Sequence, residues 1–247
     1  MFFFFHLFTG IVLGLLIGDL ISDRRWIIPC VIGAILPDVI DKPLNFIVFP
    51  AINGAGRFLF HNLLVLIVLT VIGFLVWNYY RSPVILALDI GILSHQILDS
   101  MWTEPVRWLY PLLGPSPAED ASAPDFIISL LEKELFNPSE WIMLILLGLG
   151  LLAYFKYRHT ISTSPATRSI LKGALMICTL ICCLLGGFLI SRGLGIDILG
   201  RRLNRLFMFF TGYGAPLDYL MGGVVIILAA YVSWRFYRNI NGAKETE

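Results

Sequence analysis

The chain is built of long apolar blocks separated by short polar ones, with little alternation and few clean polar faces inside the blocks. About 20 apolar residues is the length a helix needs to cross a bilayer. The pattern predicts helices at Phe2–Leu20, Trp26–Leu36, Phe58–Trp77, Pro83–Trp102, Glu140–Tyr154, Ile170–Ile190 and Leu217–Phe236. The second is short for a span, fits a tilted or half-inserted helix, and should stop at Pro37. Trp77, Trp102, Trp141 and Trp234 fall near expected ends, as aromatic residues do at membrane interfaces. Asp125–Phe136 spaces its apolar residues helically, with Glu132, Lys133 and Glu134 on the other side, and reads as an interfacial helix. Ile198–Phe210 is a basic amphipathic stretch, and Gly114–Pro124 reads as a loop.

Composition agrees with this pattern. Hydrophobic residues are 57% of the 247, charged residues 14%, and the mean hydropathy is +0.81. Soluble domains carry about a quarter charged residues. The expected fold is an all-α, polytopic helical membrane protein of about seven transmembrane helices. We read residues 1–247 as one transmembrane domain. Residues 1–115 carry the chemistry, and 116–247 hold accessory helices and interfacial segments. The lipid bilayer is the expected surrounding, and a net charge of +1 gives no reason to expect nucleic-acid binding. Cys30, Cys178, Cys182 and Cys183 lie in apolar segments and read as small apolar side chains. The N-terminus lacks the basic region of a signal peptide, so the first helix should be retained.

Basic residues gather at Arg24–Arg25, at Arg81, in the Lys156–Lys172 loop and in the Arg235–Lys244 tail. The positive-inside rule puts these in the cytoplasm, with the N-terminus outside the cell membrane and the C-terminus inside. Arg201, Arg202 and Arg205 run against that assignment. It places His6, Asp38, His61, His95 and Asp99 at one depth near the outer face. Ionisable side chains cost several kcal/mol to bury unpaired in apolar surroundings, so their recurrence asks for a reason.

His95 and Asp99 have the i, i+4 spacing that lets an imidazole and a carboxylate share one ion. A self-satisfied His–Asp pair would have the same spacing, and the three further ligand types at the same depth favour a metal. Asp38 follows the helix-ending Pro37. Asp41 nearby fits a ligand, a supporting partner or a solvated residue. Arg57 should fall one helical turn before His61 on one face, which suits either an anion beside the metal or an anchor of the helix at the interface. Asp89 lies mid-membrane at a different helical angle and reads as a polar contact between helices. His159 belongs to no group.

At these residues the chain resembles a family of membrane-bound metal-dependent hydrolases described as LexA-binding, inner-membrane-associated proteins. The resemblance rests on His6, Gly33-Ala34-Ile35-Leu36-Pro37-Asp38, Arg57…His61, Gly91-x-x-Ser94-His95-x-x-Leu98-Asp99 and Tyr110-Pro111, over roughly residues 1–115. That family is in turn similar to zinc-dependent phospholipase C and related single-strand nucleases. The resemblance implies an ion held by Asp38, His61, His95 and Asp99, with Asp99 bridging to a second ion that also takes His6. Only His159 remains as a downstream histidine, so one or two ions are implied, not three. Asp41 falls one position later than the family's second Asp, and Asn62 stands where a small hydroxyl residue is common.

The resulting expectation is a membrane-embedded hydrolase of a phosphoester in a lipid or lipid-linked substrate. A divalent metal, zinc first, would activate a water. Asp38 would serve as ligand and base, and Arg57, with Arg201, Arg202 or Arg205, would neutralise phosphate. The alternatives are a non-catalytic membrane protein with a structural metal site, which binds a partner or regulates, and a transporter using Asp89.

Overall fold

A computed structural model describes residues 3–44, 57, 59–114, 128, 132, 140–141, 143–148, 150, 165–196 and 216–242. The described residues form an all-helical protein. The chain divides into two units, Met1–Phe136 and Asn137–Glu247.

The first unit contains α1 (Phe3–Leu20), α2 (Ile27–Pro43), α3 (Leu63–Tyr80), α4 (Val84–Leu98) and the single-turn α5 (Pro105–Trp108). Turns of 3-10 helix at Arg24–Trp26 and Met101–Thr103 join them. Glycines set the closeness of packing. A Cβ on Gly33 of α2 would lie 2.0 Å from the Leu88 carbonyl oxygen, and one on Gly91 of α4 would lie 2.2 Å from the Cys30 carbonyl oxygen. Backbones thus touch where α2 crosses α4. Small residues permit such crossings in membranes, where apolar burial alone gives helices no preference for one another over lipid. Gly10 and Gly14 of α1 do the same against α2: their Cβ atoms would come within 2.7 Å of Ala34 Cβ and 2.9 Å of the Ile27 carbonyl oxygen.

α3 turns most of its surface outward. Ile67, Val68, Val71, Phe74 and Leu75 are all exposed, and Leu66 and Gly73 alone on this helix are buried. Such a surface fits lipid and not water.

In the second unit, α6 (Pro165–Gly193) packs on α7 (Pro216–Gly242) through glycines. A Cβ on Gly223 would lie 2.8 Å from the Gly186 carbonyl oxygen. The described residues between 140 and 150 are helical. All four cysteines are free, as expected of small apolar side chains.

Among the described residues four helices are long and apolar enough to cross a membrane: Phe3–Leu20, Leu63–Tyr80, Arg168–Gly193 and Pro216–Ile240. Val84–Leu98 is apolar but shorter.

Three boundaries correct the sequence reading. α2 does not stop at Pro37; it runs through to Pro43. Proline removes one helical hydrogen bond, and neighbouring helices make that tolerable in membranes. α3 starts at Leu63, not Phe58, because the Asn62 side chain accepts from Leu64 N at 2.7 Å and caps it. α4 ends at Leu98, not Trp102, with Asp99 as its C-cap and Ser100 in the left-handed region at φ 53°. The loop at 114–124 and the amphipathic segments at 125–136 and 198–210 fall largely or wholly outside the described residues, as do His159, Arg201, Arg202 and Arg205.

Candidate metal centre

The glycine contact between α2 and α4 fixes the first histidine. Beside it, His95 Nδ1 lies 2.8 Å from the Ala34 carbonyl oxygen. A carbonyl only accepts, so Nδ1–H donates and Nε2 keeps its lone pair. His61, in the turn before α3, is held in the same way. Its Nδ1 lies 2.8 Å from Asp41 Oδ2, a carboxylate that also accepts from the Phe60 and His61 backbone N–H groups. His61 Nδ1–H therefore donates as well, and its Nε2 is free. Both rings are turned so that the two Nε2 atoms face each other at 3.2 Å.

At that distance the two Nε2 atoms either share one proton in a hydrogen bond or are joined by a metal ion. Two carboxylates complete the surroundings. Asp38 Oδ1 lies 3.7 Å from His95 Nε2 and 3.9 Å from His61 Nε2. Asp99 Oδ2 lies 3.8 Å from His61 Nε2 and 3.9 Å from His95 Nε2. One ligand atom from each of the four residues lies within 4.8 Å of all the others. A tetrahedral ion with bonds of 2.0–2.1 Å has ligand–ligand edges of about 3.3 Å, so small side-chain shifts would close this set on one ion. The group could hold a metal ion. The donor set does not select which.

The surroundings supply opposite charge and hold the ligands. Lys42 Nζ is 2.9 Å from Asp38 Oδ2. Arg57 reaches Asp99 Oδ2 at 3.3 Å and Glu104 Oε1 at 2.5 Å. Glu104 takes Arg107 on its other oxygen at 2.6 Å. Burial pushes the Glu104 carboxyl up, but Arg57 and Arg107 outweigh it and hold the group below the ordinary glutamate range.

His6 joins from α1. Its Nε2 lies 3.1 Å from Asp99 Oδ1, and its ring stacks on His95 with centroids 3.9 Å apart. It thus approaches the Asp99 oxygen turned away from the other ligands, the place a bridged second ion would require. His6 Nδ1 is buried with no hydrogen-bond partner among the described residues.

The five sequence-derived ligand candidates therefore come together at one end of the first unit. Arg57 comes with them, but not on a helical face with His61; both precede α3. Asp41, left open by the sequence, is fully buried and orients His61. Asp89 contacts α3, as expected, through Thr70 Oγ1 at 2.6 Å.

Gln96, Lys42, Glu104 and Arg107 were not anticipated. Gln96 Nε2 donates to the Phe60 carbonyl at 2.9 Å, and its Oε1 accepts from Trp108 Nε1 at 2.9 Å. It ties the His61 turn to α4 and α5. Its place beside His95 in an otherwise apolar helix was the signal available.

Fold and centre together define a helical membrane protein with a buried His/Asp group able to hold a metal ion. The chain belongs to the YdjM inner membrane protein family, whose model matches residues 1–193 and so spans every residue of the centre. Comparisons with curated proteins and with solved structures found no match.

Proposed function

We propose that this protein is a membrane-embedded, metal-dependent hydrolase of a phosphoester in a lipid or lipid-linked substrate. The observation that carries the metal half of this reading is the facing pair of Nε2 atoms, each with its other nitrogen committed as a donor. A divalent ion, zinc by the resemblance of the ligand order to zinc-dependent phospholipase C, would lower the pKa of a bound water to near 7 and polarise a phosphoryl oxygen. Asp38 and Asp99 lie beside the imidazoles, with side chains 7% and 6% exposed. Asp38 is the residue we assign as ligand and base, with Lys42 holding its outer oxygen. Arg57 stands against Asp99, where it can meet substrate charge. The helix-end location suits a headgroup at the membrane surface, which we place at the outer face of a seven-span protein in the inner membrane.

A second reading has its own support. Four protein donors fill a tetrahedral shell, as in structural sites that leave no place for water. This reading makes the protein a non-catalytic partner-binding or regulatory one. Elemental analysis of purified wild type and His95→Ala, followed by a lipid phosphoesterase screen, separates the readings. Stoichiometric metal lost in the variant, with turnover in wild type, supports the hydrolase. Tight metal without turnover on any phosphoester supports the structural site. Metal absent from wild type removes both.

A further inference from the structure

The Glu104 carboxylate lies in a fork of two guanidinium groups. Oε1 takes Arg57 Nη1 at 2.5 Å, and Oε2 takes Arg107 Nη1 at 2.6 Å. Arginine binds carboxylate and phosphate with the same forked geometry, and a phosphate brings more charge and an extra oxygen. The fork also adjoins the centre, since Arg57 Nη2 touches Asp99 Oδ2 at 3.3 Å. A phosphate seated between Arg57 and Arg107 would thus lie beside the metal ligands.

Glu104 is placed to leave. It stands between the Met101–Thr103 turn and α5, outside the longer helices, and its side chain is 32% exposed. Arg57 and Arg107 are better covered, at 27% and 12%. The anion is therefore the most accessible member of the triad. Swinging it outward disturbs no membrane-spanning helix.

We propose that Arg57 and Arg107 form the binding site for the substrate's phosphate group, and that Glu104 occupies this site as an internal anion which the substrate displaces. The proposal rests on the phosphoester reading for its substrate class. It adds Arg107 as a binding residue and Glu104 as an autoinhibitory contact that sets apparent affinity. A site filled by its own side chain binds ligand in proportion to the fraction of molecules in which it is open.

The test is binding, not turnover, so it stands or falls separately from catalysis. Full-length protein in detergent is titrated with inorganic phosphate and with a short-chain phosphatidic acid, before and after chelation. Glu104→Gln removes the competing charge and should tighten binding about tenfold. Adding Arg107→Gln to that variant should abolish the gain. Tightening toward phosphatidic acid alone assigns the site to a lipid headgroup, and tightening toward both assigns it to the phosphate group itself. Unchanged affinity in a Glu104→Gln protein that still unfolds cooperatively overturns the proposal. So does a gain that disappears on chelation, because the phosphate would then sit on metal. If Glu104→Gln fails to fold, Glu104→Asp keeps the charge and shortens the reach; a smaller gain is expected, and none overturns the proposal.

Discussion

Two buried ionisable residues on α4 solve the problem of burial differently. Asp89 faces α3, where Thr70 Oγ1 meets its Oδ2 at 2.6 Å. The contact is local, and among the described residues no histidine or second carboxylate is a hydrogen-bond or ion-pair partner of Asp89. His95, six residues later, is satisfied on one nitrogen only, and its other nitrogen faces a second imidazole and two carboxylates. Asp89 has the surroundings of a helix–helix contact; His95 has those of a ligand. Burial and charge alone do not separate them, because both are buried and both lie in apolar sequence. The separation comes from what the remaining atom faces: Asp89 Oδ1 has no hydrogen-bond partner among the described residues, whereas His95 Nε2 meets an imidazole and two carboxylates.

The comparison breaks most completely at His95. His95→Ala should reduce metal content from stoichiometric to near zero, whereas Asp89→Asn should leave it unchanged. Elemental analysis of both variants measures this, and equal loss in the two would erase the distinction. Asp41→Asn should come next. It weakens the hold on His61 Nδ1 without removing a ligand, and partners of this kind typically contribute 10–100-fold to metal affinity. A competitive chelator titration reads that factor, and wild-type affinity in the variant would deny Asp41 its orienting role.

Gly33→Ala acts through the backbone. Its Cβ would fall 2.0 Å from the Leu88 carbonyl oxygen, so α2 and α4 must separate. Overpacking of this kind costs about 1–3 kcal/mol. The same shift pulls Ala34 from His95, so metal affinity should fall together with the melting temperature. A stability loss with unchanged affinity would mean that the centre tolerates movement of the crossing.

Much of this was legible in the chain. Apolar block length marked the helical membrane fold, and the residue types at His6, Asp38, His61, His95 and Asp99 marked the centre. The boundaries were less legible, for physical reasons. Proline is a helix breaker in water, but Pro37 lies among helices that make its lost hydrogen bond tolerable, so α2 continues and carries Asp41 and Lys42 to the site. The Phe58–Asn62 stretch is apolar enough to pass for helix, yet the Asn62 cap starts α3 at Leu63. The partners of Glu104 depend on long-range closure. Its hydrogen bond to Arg57 spans 47 positions, which no local pattern encodes.

A smaller effect sharpens the Asp89 side. Thr70→Val removes the hydroxyl and should cost about 0.6 kcal/mol, a typical value for one interhelical hydrogen bond in a membrane protein. Thermal melting in detergent would show it, with metal content unaltered. Metal loss in Thr70→Val would join the two regions into one network.

The smallest expected effect is electrostatic and lies at the rim. Arg57 and Arg107 hold Glu104 below its ordinary value of 4.5. A carboxyl with a lowered pKa in the folded state contributes stability above the unfolded value, and that contribution disappears as pH falls through the folded one. Arginine stays charged throughout, so the carboxylate alone titrates in this triad. Its partial exposure screens the effect. Wild type should therefore melt slightly above Glu104→Gln at neutral pH, with a gap that is flat down to about pH 5 and narrows below it. Contributions common to the two proteins cancel in the difference to first order. A gap that stays constant into strong acid would show that Glu104 is held by packing and not by charge, and would remove the electrostatic reason for a phosphate to replace it.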